Sequence, residues 1–315
     1  MTGPVLQEAA AFAPASVGNL GVGFDILGQA IAAVGDTVRI RATDTPQIRI
    51  ASITGSPTEL PTEPERNTAT VGLLGMQREL GLPFGMEVSI EKGIPIGAGM
   101  GGSAASAVAA VVAANALLDE PLEPARLFAF ALAGEAEATG SMHVDNVAPS
   151  LYGGIVLSKP SLPSRVTRIP PPAGVSCVVV YPELYIETKN ARSVLKDQVP
   201  LVTTVEQSYN LAGFIAGCFS GDLDLIRNSL SDVLIEPQRA RLIPGFPLVK
   251  KAALAGGALG CSISGSGPSV FAWCKKDDVQ RVAEDMVAAF AGEDVAARYW
   301  ISPAAAEGAR LVDPS

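Results

Sequence analysis

The residues from Gly93 to Leu118, GIPIGAGMGGSAASAVAAVVAANALL, begin as a loop and end as an almost unbroken run of alanine and valine. Five glycines fall in the ten residues from Gly93 to Gly102. Glycine loses more backbone entropy on ordering than any other residue, so this density points to a bare backbone held at the start of a helix. The helix that follows is apolar nearly all round and so reads as buried. Its N-terminus turns unpaired N–H groups and a partial positive charge toward the loop, which suits an anion and above all phosphate. The alternative is a tight turn that packs a helix close to a sheet.

Two familiar phosphate motifs are not met. The pattern GxxxxGK[ST] needs a lysine, and none lies between Gly93 and Leu118. Gly97, Gly99 and Gly102 have the spacing of a dinucleotide fingerprint, but Asp119 and Glu120 follow the helix directly and no acidic residue ends a second strand about twenty positions on. Without a lysine, a metal ion and a carboxylate become the charge neutralisers. Ser103, at the helix start, offers an oxygen to magnesium. In PARLFAFALAGEAEATG (124–140), Leu127, Phe128, Ala131 and Leu132 form one apolar stripe, and at roughly 100° per residue Glu135 falls in its middle. A carboxylate there needs a partner or a metal, so Glu135 is read as the second magnesium ligand, against the alternative of a helix-end acid at a partly open surface. Glu137 falls at the edge and reads as a solvated charge. His143, Asp145 and Asn146 stand in a short polar turn, GSMHVDNVAPSLYGG (140–154), and the lone His143 is read as structural.

These groups need a scaffold. The chain has 315 residues, enough for two domains, with 48% hydrophobic and 17% charged residues, so it is globular. Its net charge of −9 and the lack of a dense Lys/Arg cluster exclude a nucleic-acid binder. Four widely spaced cysteines without a CxxC pair argue against zinc and dithiol chemistry, and a single histidine excludes a multi-histidine metal site. No signal peptide is read at the N-terminus, and the apolar run Ala104–Leu118 is shorter than the roughly 20 residues that span a bilayer. A cytoplasmic enzyme with no membrane association is expected. Strands are expected at 36–43, 46–54, 85–95, 152–159, 175–183, 269–275 and 297–302. Helices are expected at 66–81, 103–118, from Pro124, near 203–220, 222–234, 246–257 and 277–291. The Pro-rich stretch SKPSLPSRVTRIPPPAG (158–174) marks the domain boundary.

Six stretches, in order, resemble motifs of the superfamily of galactokinase, homoserine kinase, mevalonate kinase and phosphomevalonate kinase, the GHMP kinases. FAPASVGNLGVGFDILGQAI (12–31) is similar to the first motif in the form found in homoserine kinases. IPIGAGMGGSAAS (94–106) is similar to PxxxGLGSSAA, and GALGCSISGSGPSVFAW (257–273) to the third motif. HVDNVAPSLYGG (143–154), IETKNARSVL (186–195) and EPQRARLIPGFP (236–247) match as well. Met100 stands for the usual leucine and Gly102 for the first serine of the Ser-Ser pair.

The resemblance implies an α+β, two-domain GHMP kinase fold. Residues 1–165 would form a mixed sheet with a left-handed βαβ unit, and residues 166–315 a ferredoxin-like α/β sandwich. It implies ATP-dependent phosphorylation of the L-homoserine hydroxyl with Mg2+, in threonine biosynthesis, by a homodimer. The nucleotide would meet Pro95, Ile96, Gly97, Ala98, Gly99, Met100, Gly101, Gly102, Ser103 and Ala104, with Asn67 toward the adenine and Ser103 and Glu135 on the metal. The third motif, around Ser264 to Gly267, would pack against the phosphate loop. Arg192 and Arg239 would clamp the homoserine carboxylate and Asp25 would meet its ammonium, which is the pairing a zwitterion needs. Asn19, Asn146 and Thr188 would orient the amino acid, Asn146 beside the reacting hydroxyl. No lysine is read at the transferring phosphate. Some superfamily members use an aspartate where this chain places Asn146, which cannot take a proton at neutral pH. Asp145 is adjacent; the working hypothesis is that no strong general base is used. The alternatives are a related kinase for mevalonate or a sugar, a non-catalytic nucleotide-binding regulator on the same fold, and, more distantly, a dinucleotide-dependent dehydrogenase.

Overall fold

The alanine- and valine-rich helix is the centre of the molecule. The structure is a computed structural model, and it describes residues 3–55, 60–140, 142–162 and 165–314, with residues 137–139 described by backbone alone. The first part of the chain runs β1 (Glu8–Gly18), β2 (Leu27–Thr43), β3 (Ile48–Thr54), α1 (Thr68–Leu80), β4 (Gly85–Glu91), α2 (Gly102–Asn115), α3 (Pro124–Thr139), α4 (Val144–Tyr152), β5 (Ile155–Leu157) and β6 (Thr167–Ile169). The second runs β7 (Val175–Pro182), α5 (Thr188–Ser193), α6 (Leu201–Ser220), α7 (Leu223–Ser229), α8 (Glu236–Arg239), α9 (Phe246–Ala255), β8 (Gly260–Ile263), β9 (Val270–Lys275), α10 (Val279–Ala291), β10 (Ala297–Pro303) and β11 (Arg310–Val312). Among the described residues no helix is long and apolar enough to cross a membrane.

Helix α2 lies against β1 and β2 and is flanked by α1, α3 and α4. Ten of its fourteen residues, from Ala104 to Ala114, are buried, and small side chains let so many neighbours approach. The flanking helices have clear end signals. Asn67 caps α1 by accepting from the Ala69 N–H at 3.0 Å, and Gly81 ends it in the left-handed region. Pro124 opens α3 and Gly140 closes it.

The first sheet is mixed and has seven strands, in the order β11-β1-β2-β4-β3, with β5 joined to β2 and β6 to β5. Among the described residues only β3 and β4 pair in parallel. The second sheet, β10-β7-β9-β8, is antiparallel throughout. Strand β7 is buried along its whole length because it serves two cores at period two. Cys177 and Val179 join the core around α2, while Val178 and Val180 join the one made with α9 and α10. The buried Trp273 Nε1–H donates to Gln29 Oε1 at 2.8 Å and ties the two sheets together.

Several elements differ from the sequence reading. The strand expected at 36–43 is the second half of the 17-residue β2. Strand β1 was not anticipated, because EAAAFAPASVG carries little β-branched signal, and the polar turn expected at 140–154 is largely helix α4. Past residue 165, β6 and the late strand β11 still belong to the first sheet, so the chain returns to its first sheet after completing the second.

Candidate functional site

Strand β4 delivers the chain into the glycine loop, and α2 carries it away. Gly97, Gly99 and Gly101 take φ of +69°, +72° and +67°, which side-chain-bearing residues seldom adopt. The third glycine-rich stretch presses on the same loop. Ser264 Oγ donates to the Gly99 carbonyl at 2.8 Å, and the Ser269 N–H donates to the Ala98 carbonyl at 3.1 Å. A Cβ at Gly99 would stand 2.4 Å from the Gly267 carbonyl oxygen. Gly99→Ala is therefore expected to cost about 3 kcal/mol or more of stability, checked by denaturant unfolding. Gly102 lies outside the left-handed region, and its Cβ would be 3.3 Å from Ile94 Cγ2. Gly102→Ser is expected to fold and to keep turnover within a few-fold, read by steady-state kinetics.

The loop opens onto a cleft of about 770 Å³ whose lining includes Asn67, the residues from Ile94 to Ser103, Glu135, Asn146, Thr188, Arg192 and Arg239. At its inner end Ser103 Oγ donates to Glu135 Oε1 at 2.8 Å. Glu135 is 1% exposed, as its place on the apolar stripe of α3 requires. The side chain of Glu137 lies outside the described residues. A serine hydroxyl and a buried carboxylate converging at a phosphate-type loop are hard oxygen donors of the kind magnesium takes, so the residues fit that ion.

His143, read from the sequence as structural, lines the cleft. Its Nδ1 lies 3.0 Å from Glu135 Oε1. Burial pulls the imidazole pKa down, but the hydrogen bond and charge of Glu135 outweigh this and raise it. Sequence reasoning also missed Lys92, one residue before the loop. Lys92 Nζ pairs with the buried Asp36 and donates to the Gly102 carbonyl at 2.9 Å and Ser106 Oγ at 2.8 Å. Asp36 Oδ1 accepts from the N–H groups of Gly93 and Ile94 at 3.1 and 3.2 Å. This buried network fastens the entry of the loop to the first turns of α2, and it spends the lysine's charge on Asp36. The pairing spans 56 residues of sequence, and only the Lys-Gly step after a strand hinted at it.

The other end of the cleft is charged. Arg192 forks onto Asp25, with Nη1 to Oδ2 at 2.8 Å and Nη2 to Oδ1 at 3.1 Å. Arg239 is 4% exposed and donates to the carbonyls of Ala191 and Gly265 at 3.0 and 2.9 Å. Burial, and then the Arg192 cation, pull its pKa down to about 10. Both guanidiniums lie on Phe24, with Cζ 5.1 Å (Arg192) and 5.3 Å (Arg239) from the ring centroid.

Three predicted polar residues are already engaged. Asn19, at φ +66°, donates to the Gly265 carbonyl at 2.9 Å and accepts from the Asp25 N–H at 3.0 Å, so it sets the turn that aims Asp25. Asn146 Oδ1 accepts from Ser16 Oγ at 2.9 Å. Both ends of the Asn67 carboxamide are used, since Nδ2 donates to the Pro61 carbonyl at 2.8 Å and Oδ1 caps α1. Thr188 Oγ1 stands 3.5 Å from Ser266 Oγ and lines the cleft from α5.

Asp145 accepts from the Asn19 N–H at 3.1 Å, and burial, followed by the charge of Asp25, pushes its carboxyl up to about 6, against a lowering by His143. The folded protein then holds a proton that the unfolded chain has released above the usual value of 3.8. Stability therefore falls as pH rises through that window. Unfolding free energies of Asp145→Asn are expected to gain on the unsubstituted protein by up to roughly 3 kcal/mol between about pH 4 and pH 7.

Residues 67–154 match the family description GHMP kinases N terminal domain, and residues 214–292 match GHMP kinases C terminal. A homoserine kinase of Xylella fastidiosa is 51% identical over 312 residues, covering 99% of this chain and 96% of that protein. The chain belongs to the homoserine kinase family of the GHMP kinases. A second homoserine kinase, from Xanthomonas campestris, is 51% identical over 98% of this chain and 95% of its own. The crystal structure of a homoserine kinase from Cytophaga hutchinsonii superposes with a TM-score of 0.95 at 41% identity, covering 99% of each chain. The two-sheet α+β architecture is thus the GHMP kinase fold, and GHMP kinases use ATP.

Proposed function

We propose that the protein transfers the terminal phosphoryl group of ATP to the side-chain hydroxyl of L-homoserine, in the cytoplasm, as a homodimer and with Mg2+. The observation that carries the reading is a cleft with a phosphate-type loop at one end and two guanidiniums beside a carboxylate at the other. Phosphoryl transfer asks a protein mainly for positioning and charge stabilisation. The loop N–H groups from Gly97 to Ser103 cradle the phosphates. Ser103 and Glu135 hold the magnesium ion, which when bound neutralises charge on the phosphate oxygens. Arg192 and Arg239 take the homoserine carboxylate, and Asp25 turns from Arg192 to the substrate ammonium. Asn146, anchored by Ser16, orients the reacting hydroxyl.

Among the described residues, neither Asn146 nor Asp145 stands as a strong base. Asn146 cannot take a proton at neutral pH, and Asp145 is committed to the Asn19 N–H and, at 3.3 Å, to Asn146 Nδ2. The hydroxyl proton passes to a phosphate oxygen. A pH–rate profile of Asp145→Asn decides this; a fall of many orders of magnitude with homoserine binding intact would overturn it. The function is tested by ATP consumption with homoserine, threonine, mevalonate and galactose side by side. Turnover is expected with homoserine, and a preference for mevalonate or galactose would replace this reading with a related kinase.

A further inference from the structure

Helix α6 is buried along one face and bare along the other. Its outer face carries Val202, Val205, Tyr209, Ala212, Ala216 and Phe219, all exposed. The four larger of these are between 60% and 73% exposed, and Leu201 beside them 79%. The steps between the six alternate three and four residues, the spacing of a seam made for another helix. Glu206, at the edge of the stripe, is the only charged residue of α6, so the face offers little to a strongly charged partner. The sizes of the side chains single out the occupant. About the midpoint of α6 they are complementary to their own reverse. Tyr209 mirrors Ala212, Val205 mirrors Ala216, and Val202 mirrors Phe219. The two central pairs set a large side chain against an alanine, as interdigitation of two helices requires, and the outer pair sets two apolar side chains together. An unrelated partner gives no reason for such symmetry.

We propose that this face is the seam of a two-fold dimer in which α6 of one copy lies antiparallel to α6 of the other. This deepens the homodimer of the functional reading by giving it a surface. Light scattering on the full chain is expected to give twice the monomer mass, and Ala212→Glu, which keeps helix propensity on an exposed face, is expected to give the monomer with an unchanged thermal melt. The double variant Val205→Cys with Ala216→Cys is expected to cross-link between chains on mild oxidation, while neither single variant does. Those two positions are about 16 Å apart along one helix and cannot bridge within a chain. The native cysteines Cys177, Cys218, Cys261 and Cys274 are all buried and do not compete. A monomeric unsubstituted protein, a dimer that survives Ala212→Glu, or cross-linking by a single variant would each overturn the seam. Kinase turnover on the same samples judges the functional reading separately.

A second observation stands apart from the first. Phe24 adjoins Asp25, and both arginine guanidiniums lie about 5 Å from its ring centroid. Two like charges held this close repel, and an aromatic ring offsets the repulsion by attracting each of them. We infer that Phe24 is a positioning residue that keeps Arg192 and Arg239 side by side as one carboxylate clamp, which rests on the clamp reading above. Phe24→Leu is expected to raise the homoserine KM about tenfold, with kcat and the ATP KM within about twofold, and Phe24→Tyr to restore the KM. An unchanged KM in Phe24→Leu, or no rescue by Phe24→Tyr, overturns the inference. An unchanged homoserine KM in Arg239→Ala would instead overturn the clamp itself.

Discussion

Glu135→Ala is expected to lower turnover by on the order of a hundredfold or more, with homoserine binding little changed. The carboxylate, near the end of α3, is buried at the start of α2, where Ser103 Oγ and His143 Nδ1 converge on its Oε1 at 2.8 and 3.0 Å. On the proposed reading a metal ion held there would stabilise charge that grows in the transition state, so its loss would fall on kcat rather than on substrate affinity. Ser103→Ala removes the other protein oxygen and is expected to fall in the same range. Glu135→Gln keeps the size and hydrogen bonding of the side chain but not its charge, and should fail nearly as badly as alanine. Steady-state kinetics beside thermal melts measure this. Near-normal turnover in both Glu135→Ala and Ser103→Ala would refute the magnesium assignment.

Asp25→Asn should lower kcat/KM for homoserine by on the order of a hundredfold, since on the proposed reading it removes a charged hydrogen-bond partner from the substrate ammonium. The substitution is gentle on the backbone. Asp25 sits at φ +60°, a conformation that asparagine tolerates well. Asn19 aims the position through the Asp25 N–H, which the variant keeps. The ATP KM is expected to stay within a few-fold, because the loop and Glu135 lie at the other end of the cleft. Competition between homoserine and an uncharged alcohol gives the clearest measurement. If the variant handles homoserine as the unsubstituted protein does, Asp25 is not the ammonium partner.

How much of this was legible in the sequence depended on whether the signal was local. The glycine loop and its buried helix could be read directly, because density of glycine and an apolar run are properties of consecutive residues. Glu135 could be placed because helical spacing carries it into the stripe of Leu127, Phe128, Ala131 and Leu132. Strand β1 could not, since alanines buried on both faces carry no alternation for periodicity to detect. Helix α4 was hidden by its polar start and by Pro149 within it. The Lys92–Asp36 pair joins β2 to the end of β4, and the contact of His143 with Glu135 depends on how α3 and α4 meet. Both are facts of packing between elements. Asn19 and Asn146 were singled out as substrate contacts through the resemblance, but their ties to Gly265 and Ser16 exist only once the distant glycine stretch and β1 are folded against them.

The fork between Arg192 and Asp25 has a consequence for how binding should respond to salt. Both side chains are partly open to water, 45% and 35% exposed, so their mutual attraction is worth no more than about 1 kcal/mol. A zwitterion that enters between them cancels each charge with one of its own, so the cleft and its guest together begin and end electrically balanced. Affinity for such a guest should change little as ionic strength rises. A ligand carrying only a carboxylate or only an ammonium strands one of the two residues, and should lose affinity steadily over the same range.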